Sequence, residues 1–250
     1  MSGRVLITAG ASGVGRAMAE AFDAAGAQVW VADVDPNALS DCPAHWQRSE
    51  ANVADEDAVA TLFQDIEAEW GGLDTLCANA GIAGPTALVE DVALDDWRMC
   101  LAVNLEGAFL CAKHAAPILK RQGSGAVVIT SSTAGQYGYP NRAPYAAAKW
   151  GMIGLAKTLA MELGPHGIRV NAICPGAVEG PRMDRVVASV AQASGQTEAA
   201  VRASCVDGVS LRSWVTAEDV AATVAFLASE AGARISGQAL AIDGHTERMT

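Results

Sequence analysis

Seven short, mostly apolar runs recur along the chain: Arg4–Thr8, Gln28–Ala32, Ala44–Arg48, Thr75–Ala78, Ala126–Thr130, Arg169–Ile173 and Ala239–Ile242. Runs this short and continuous read as strands buried on both faces. Helical patterns fill the spaces between them. Val14–Ala25 stops at Gly26, a residue suited to closing a helix. Asp55 is placed to cap Glu56–Glu69, where Val59, Leu62, Phe63 and Ile66 form an apolar stripe. One long helix is expected over Leu94–Leu119, another over Pro144–Leu163, and a last one over Ala217–Leu227. Strand–helix alternation of this kind predicts an α/β fold: a doubly wound, seven-stranded parallel sheet with helices on both faces. The rhythm breaks only over residues 179–214, which carry no strand pattern and read as a lid or substrate-binding insertion within a single domain spanning 1–250.

Composition narrows the partners. A net charge of −11 argues against nucleic acid, which needs a basic surface. No apolar run approaches the roughly 20 residues needed to cross a bilayer. Arg4 leads directly into Val5-Leu6-Ile7, so no leader is expected and the cytoplasm is the expected location. Cys42, Cys77, Cys100, Cys111, Cys174 and Cys205 show no C-x-x-C spacing and read as reduced thiols. The four histidines are scattered, and no metal site is expected.

The first strand runs into Thr8-Ala9-Gly10-Ala11-Ser12-Gly13-Val14-Gly15-Arg16. A glycine-rich turn that opens a helix lets backbone N–H groups approach a pyrophosphate, while the helix dipole points its positive end at the anion. Asp33 closes the second strand, 18 residues after Gly15. A carboxylate there accepts bonds from the adenosine ribose hydroxyls and repels the additional phosphate of NADP, so NAD is the expected cofactor. Asp35 is the second choice for that role.

With these features in hand, the chain resembles the short-chain dehydrogenase/reductase family over essentially its whole length. Thr8, Gly13 and Gly15 match the family's T-G-x-x-x-G-x-G turn, and Ala9 stands where its first glycine falls, with Gly10 beside it to take up the required conformation. Asn79-Ala80-Gly81 resembles the family's N-A-G segment, and Asn52-Val53 takes the place of its adenine-side Asp. The resemblance implies a catalytic set of Asn104, Ser132, Tyr145 and Lys149. Ser132 precedes Tyr145 by the family's usual 13 residues, which favours it over Ser131. Tyr145 and Lys149 are four apart and share a helix face, so an ammonium can favour the phenolate of a group that otherwise titrates near pH 10. By resemblance, Tyr145 exchanges the proton with the alcohol, Lys149 also holds the nicotinamide ribose, Ser132 holds the substrate oxygen, and Asn104 anchors a water. Pro175-Gly176-Ala177-Val178 resembles the family's turn against the nicotinamide, with Gly180 where a threonine is common. The ending Asp243-Gly244-His245 resembles its D-G-G turn, with His245 replacing the second glycine, and family members with that ending are usually homotetramers.

The expected cofactor contacts are therefore Gly10, Ser12, Gly13, Val14, Gly15, Asp33, Asn52, Val53, Asn79, Ala80, Gly81, Tyr145, Lys149, Pro175, Gly176 and Val178. Substrate contacts are expected from Ser132, Gln136, Tyr139, Arg142, Arg182 and Arg185. A helix over the start of the insertion would put Arg182 and Arg185 on one face, suited to a carboxylate, sulfonate or phosphate; the alternative is that they pair with surface acids. The function so implied is hydride transfer between NAD and a secondary alcohol or ketone of a small polar substrate, such as a sugar, polyol or hydroxy acid. Two competitors are a 3-oxoacyl-type reductase, which Asp33 opposes, and a non-catalytic dinucleotide sensor, which would not need a base.

Overall fold

The computed structural model describes residues 3–247. Seven strands form one sheet: β1 (Arg4–Thr8), β2 (Gln28–Asp33), β3 (Gln47–Glu50), β4 (Thr75–Ala78), β5 (Gly125–Thr130), β6 (Ile168–Pro175) and β7 (Ala239–Ile242). Their order is β3-β2-β1-β4-β5-β6-β7, and every pairing is parallel. The chain winds outward from β1 in one direction and from β4 in the other. The crevice at the carboxyl ends of these two strands is where ligands bind in such sheets.

Period-two alternation divides the core. In β1, Leu6 joins the core on one face, while Val5 and Ile7 join that on the other. The first face is covered by α3 (Glu56–Trp70), α5 (Gly107–Gln122) and α6 (Ala143–Leu163), whose residues Leu62, Ile118 and Met152 are buried there. The second is covered by α1 (Gly13–Ala24) and α9 (Ala217–Ala228), through Phe22 and Val224. Asp55 caps α3 as expected, accepting the N–H groups of Asp57 and Ala58.

Most boundaries fall within a residue or two of the expected ones, and three features depart further. The third strand starts later than Ala44, because Pro43–Trp46 forms a turn closed by Trp46 N–H to the Pro43 carbonyl. The strand itself, Gln47-Arg48-Ser49-Glu50, is a polar sheet edge with half-exposed or exposed side chains, so hydrophobicity did not mark it. A short helix, α2 (Pro36–Ser40), also went unexpected. The expected long helix is α4 (Leu94–Leu101) and α5 joined by a widened π turn, Ala102–Glu106, in which the Gly107 N–H reaches back to the Ala102 carbonyl.

Residues 179–214 contain two helices, α7 (Pro181–Ser194) and α8 (Glu198–Asp207), which pack through a small cluster of Val187, Ala191 and Val201. The segment is tied down at both ends. Val178 bridges Val215, and further on Val209 bridges Thr246. There the Ser210 and Leu211 N–H groups bond the His245 and Gly244 carbonyls, the Glu247 N–H bonds the Gly208 carbonyl, and Tyr137 Oη donates to the Thr246 carbonyl at 3.0 Å.

Candidate active site

The glycine-rich turn is built by close packing. A β-carbon on Gly15 would lie 2.0 Å from the Ala9 carbonyl oxygen, and one on Gly10 would lie 2.7 Å from Val31 Cγ1. Only glycine lets α1 and β2 approach the turn this closely. Gly13 has φ +52° and nothing within 4 Å of its missing side chain, which leaves its face open at the amino end of α1. Ser12 precedes the helix in extended backbone without a side-chain capping bond, so its hydroxyl is free for an anion. The residue expected to supply the unusual conformation was Gly10; instead Ala9 itself is left-handed, at φ +49°. Gly10 is needed for space rather than for rotation.

Thr8 organises the next layer. Its Oγ1 accepts the N–H groups of Asn79 and Ala80, each at 3.0 Å, while Asn79 Nδ2 donates to the Thr8 carbonyl at 3.2 Å. The N-A-G segment therefore fastens β4 to the turn. Asp33 accepts from the N–H groups of Ala11 (3.2 Å), Val34 (2.8 Å) and Asp35 (3.2 Å), which fixes its carboxylate beside the turn. Asp35 is committed elsewhere, as the cap of α2. Asn52 spends its Oδ1 on the Ala54 N–H, leaving its amide donors, and the Val53 side chain is buried against Gly107. Only the backbone of Val53 can serve a ligand. At the other end, the bonds bridging residue 215 run from Val215 N–H to Ala177 and from Glu179 N–H to Val215. The N–H and carbonyl of Val178 therefore point away from that pairing. Gly176 sits against Asp243, where a β-carbon would come within 2.8 Å. Gly180, at φ +131°, is in a conformation that a threonine would strain. These features fit a dinucleotide laid across the crevice: an open anion-binding turn, an oriented carboxylate at one end and free backbone groups at the other.

Asn104, Ser132, Tyr145 and Lys149 converge at the carboxyl ends of β4 and β5. Lys149 is buried, and its Nζ donates to the Thr130 carbonyl at 2.8 Å and lies 5.4 Å from the centre of the Tyr145 ring. Burial pushes the Tyr145 phenol up, but Lys149, Arg182, the Ser132 hydroxyl and Arg142 together outweigh it, and the phenol ends below its ordinary value. Lys149 is lowered, chiefly by burial, with Tyr145 opposing. Ser132 Oγ also accepts the Ala134 N–H, whereas Ser131 Oγ donates to the Lys149 carbonyl at 2.7 Å. Ser131 thus positions the catalytic helix, and Ser132 faces the phenol. Asn104 sits in the π turn, where its Nδ2 donates to the Cys100 carbonyl (2.8 Å) and the Ile82 carbonyl (3.1 Å). Its Oδ1 is buried without a protein donor. A β-carbon on Gly81 would lie 2.5 Å from that oxygen and 3.5 Å from Lys149 Nζ, so Gly81 lets both atoms face one small volume.

Beside this set lies a cleft of about 250 Å³ between the loop after β4 and the first turns of α7, lined by Arg142, Arg182 and Arg185. Arg142 Nη2 donates to the Ala83 carbonyl at 2.7 Å, and Arg182 Nη1 to the Gly81 carbonyl at 3.1 Å. The surface-pairing alternative for Arg182 and Arg185 is not what the structure contains: among the described residues neither pairs with a carboxylate, and Arg142 does not either, although Arg4, Arg16, Arg98, Arg121, Arg202 and Arg212 do. Tyr139 is stacked on Arg142, 5.5 Å from ring centre to guanidinium. Gln136 is not part of the cluster; its amide is drawn to the Ala239 carbonyl of β7, at 3.4 Å. Sequence reasoning overlooked Thr8 as a brace, Cys100 as the partner of Asn104, and the Gly81 and Ala83 carbonyls as arginine anchors. Thr8 was visible in its motif; backbone carbonyls leave no sequence signal.

The family model described as Enoyl-(Acyl carrier protein) reductase matches residues 8–245. The cis-4-hydroxycyclohexanecarboxylate dehydrogenase of Sinomonas cyclohexanicum is 38% identical over 247 residues, covering 96% of this chain and 94% of that protein. The 3-oxoacyl-[acyl-carrier-protein] reductase of Thermotoga maritima is 32% identical over 252 residues, covering 98% of each. Among solved structures, NAD+-bound xylitol dehydrogenase superposes with a TM-score of 0.92 at 30% identity, covering 96% of this chain and 97% of that one. Sheet order, glycine-rich turn, Asn104–Ser132–Tyr145–Lys149 set and full-length similarity thus place the chain in the short-chain dehydrogenase/reductase family.

Proposed function

We propose that this oxidoreductase is an NAD-dependent dehydrogenase that acts on a secondary alcohol, or in reverse a ketone, of a small polar molecule. The observation that carries the reading is Tyr145, held between Lys149 and Ser132 with its phenol shifted toward ionisation. In oxidation, Tyr145 accepts the hydroxyl proton, Ser132 holds the same oxygen, and Lys149 stabilises the phenolate and would also hold the ribose of bound NAD. Asn104 Oδ1 anchors a water through which the proton gained by Tyr145 leaves, by way of Lys149, to solvent. Bound NAD supplies the hydride acceptor, and this chain positions it through Ser12–Gly15, Asp33, the Asn79–Gly81 segment and Val178. Residues 179–214 cover the substrate. The cis-4-hydroxycyclohexanecarboxylate and xylitol dehydrogenases support a hydroxy acid or polyol as substrate.

The test is NAD reduction across a panel of sugars, polyols, hydroxy acids and secondary alcohols. Tyr145→Phe is expected to lower kcat by at least about 10³-fold while NAD binding stays within about twofold, because the hydroxyl serves proton transfer alone. Near-normal turnover by that variant overturns the assignment. The similarity to 3-oxoacyl-[acyl-carrier-protein] reductase favours a second reading, reduction of a 3-oxoacyl group. Asp33 separates the two. NAD is expected to be preferred over NADP by about 10²-fold in kcat/KM, and Asp33→Ser to narrow that gap by at least about tenfold, as loss of one charge repulsion implies. Equal use of both cofactors by the unaltered protein removes Asp33 from the cofactor site. The six free thiols, five of them buried, fit a reducing cytoplasm.

A further inference from the structure

Arg142 is a guanidinium in the wrong place for a surface role. It is only 3% exposed, in a chain carrying eleven more negative than positive side chains, and it has no carboxylate partner among the described residues. Two tyrosine rings hold its plane, Tyr139 at 5.5 Å and Tyr145 at 5.1 Å, and the Ala83 carbonyl takes one of its five donors. Its Nε is buried with no protein acceptor. A buried, oriented, uncompensated charge is costly to fold around unless something else supplies the opposite charge. Arg182 and Arg185 line the same cleft, and neither has an acid partner among the described residues. Three cationic side chains thus line a cleft whose described lining holds no carboxylate.

We infer that this cleft recognises the carboxylate of a compact hydroxy acid or keto acid, with Arg142 as the principal contact and Arg182 as the second. The inference rests on the dehydrogenase reading for the position of the reacting hydroxyl, and it adds what the rest of the substrate must carry. Arg142 lies against the ring of the same tyrosine that takes the proton, so the anionic group and the reacting carbon belong to one small molecule. Paired N–H donors from a planar guanidinium match a planar carboxylate, and the aromatic faces that clamp Arg142 set the plane of that pairing. The same two arginines favour the Tyr145 phenolate, so charge recognition and proton transfer share their residues.

The test separates this inference from the reading beneath it by measuring binding as well as turnover. Calorimetry would compare cyclohexanecarboxylate with cyclohexanecarboxamide, and with inorganic phosphate, with and without saturating NAD. Turnover would compare 3-hydroxybutyrate with its methyl ester. The expected result is at least about tenfold tighter binding of the carboxylate than of the amide, and a similar preference for acid over ester. Arg142→Gln should erase the preference and Arg142→Lys should restore part of it, since lysine returns the charge without the fork. Should Arg142→Gln fail to fold, the exposed Arg182→Gln carries the test and should cut the preference at least about threefold. Equal binding of carboxylate and amide, an undiminished preference in Arg182→Gln, or tighter binding of phosphate than of the carboxylate overturns the inference. Carboxylate binding without oxidation of any alcohol leaves the inference standing and overturns the dehydrogenase reading. Equal oxidation of acid and ester does the reverse.

Discussion

At the scale of single residues, Tyr145 is governed by opposing forces. Burial favours its neutral form; Lys149, Arg182, Ser132 and Arg142 favour the phenolate and prevail. The sign of the pH dependence follows. Oxidation needs the phenolate, so kcat/KM should rise with pH and level off below the ordinary phenol value near 10. Arg182→Gln removes one stabilising charge and should move that rise to higher pH; a shift to lower pH, or none, would take Arg182 out of the electrostatics of the site. That the four candidate catalytic residues would come together was legible in the sequence, because residue type and spacing encode it: a phenol and an amine four apart meet on any helix. The isolation of Arg142 was not legible. Whether an arginine finds an acid depends on which loops the fold brings beside it, and here the neighbours are the carbonyls of Gly81 and Ala83.

At the scale of elements, the turn between β1 and α1 shows how a motif bends around a substitution. Ala9 adopts φ +49°, a conformation that costs a residue with a β-carbon about 1–2 kcal/mol. Part of that cost returns as reduced freedom of the unfolded chain. Ala9→Gly should therefore stabilise the protein by about 0.5–1 kcal/mol, read as a rise in Tm of about 1–4 °C, with KM for NAD unchanged or lowered. A fall in Tm would mean that the alanine methyl contributes packing that outweighs its strain. The π turn, by contrast, was hidden. Leu94–Leu119 reads as one helix, and its helical pattern does not mark the extra residue that turns Asn104 toward Ile82 and Cys100. Widened turns of this kind collect at functional sites because they re-aim one side chain without ending the helix. The edge strand β3 was misplaced for a different reason: only strands covered on both faces must be apolar.

At the scale of the whole molecule, alternation of strand and helix was enough to give the seven-stranded sheet, since burial on both faces forces the apolar runs into its middle. Two of the outer helices keep large apolar side chains exposed. Phe109 on α5 is half exposed, and on α6 Trp150 is 51% and Met161 80% exposed. Large apolar side chains on two neighbouring helices suit burial against another copy. We expect a homotetramer formed through α5, α6 and β7, and sedimentation showing only monomer at micromolar concentration would exclude it. One further feature works across the molecule. Residues 244–247 hold residues 208–211, at the far root of the segment over the cleft, and take the hydroxyl of Tyr137, just ahead of the catalytic helix. Residues 244–247 thereby join the segment that lines the cleft to the stretch leading into α6. A substitution that breaks these bonds would be felt as altered substrate handling rather than as unfolding.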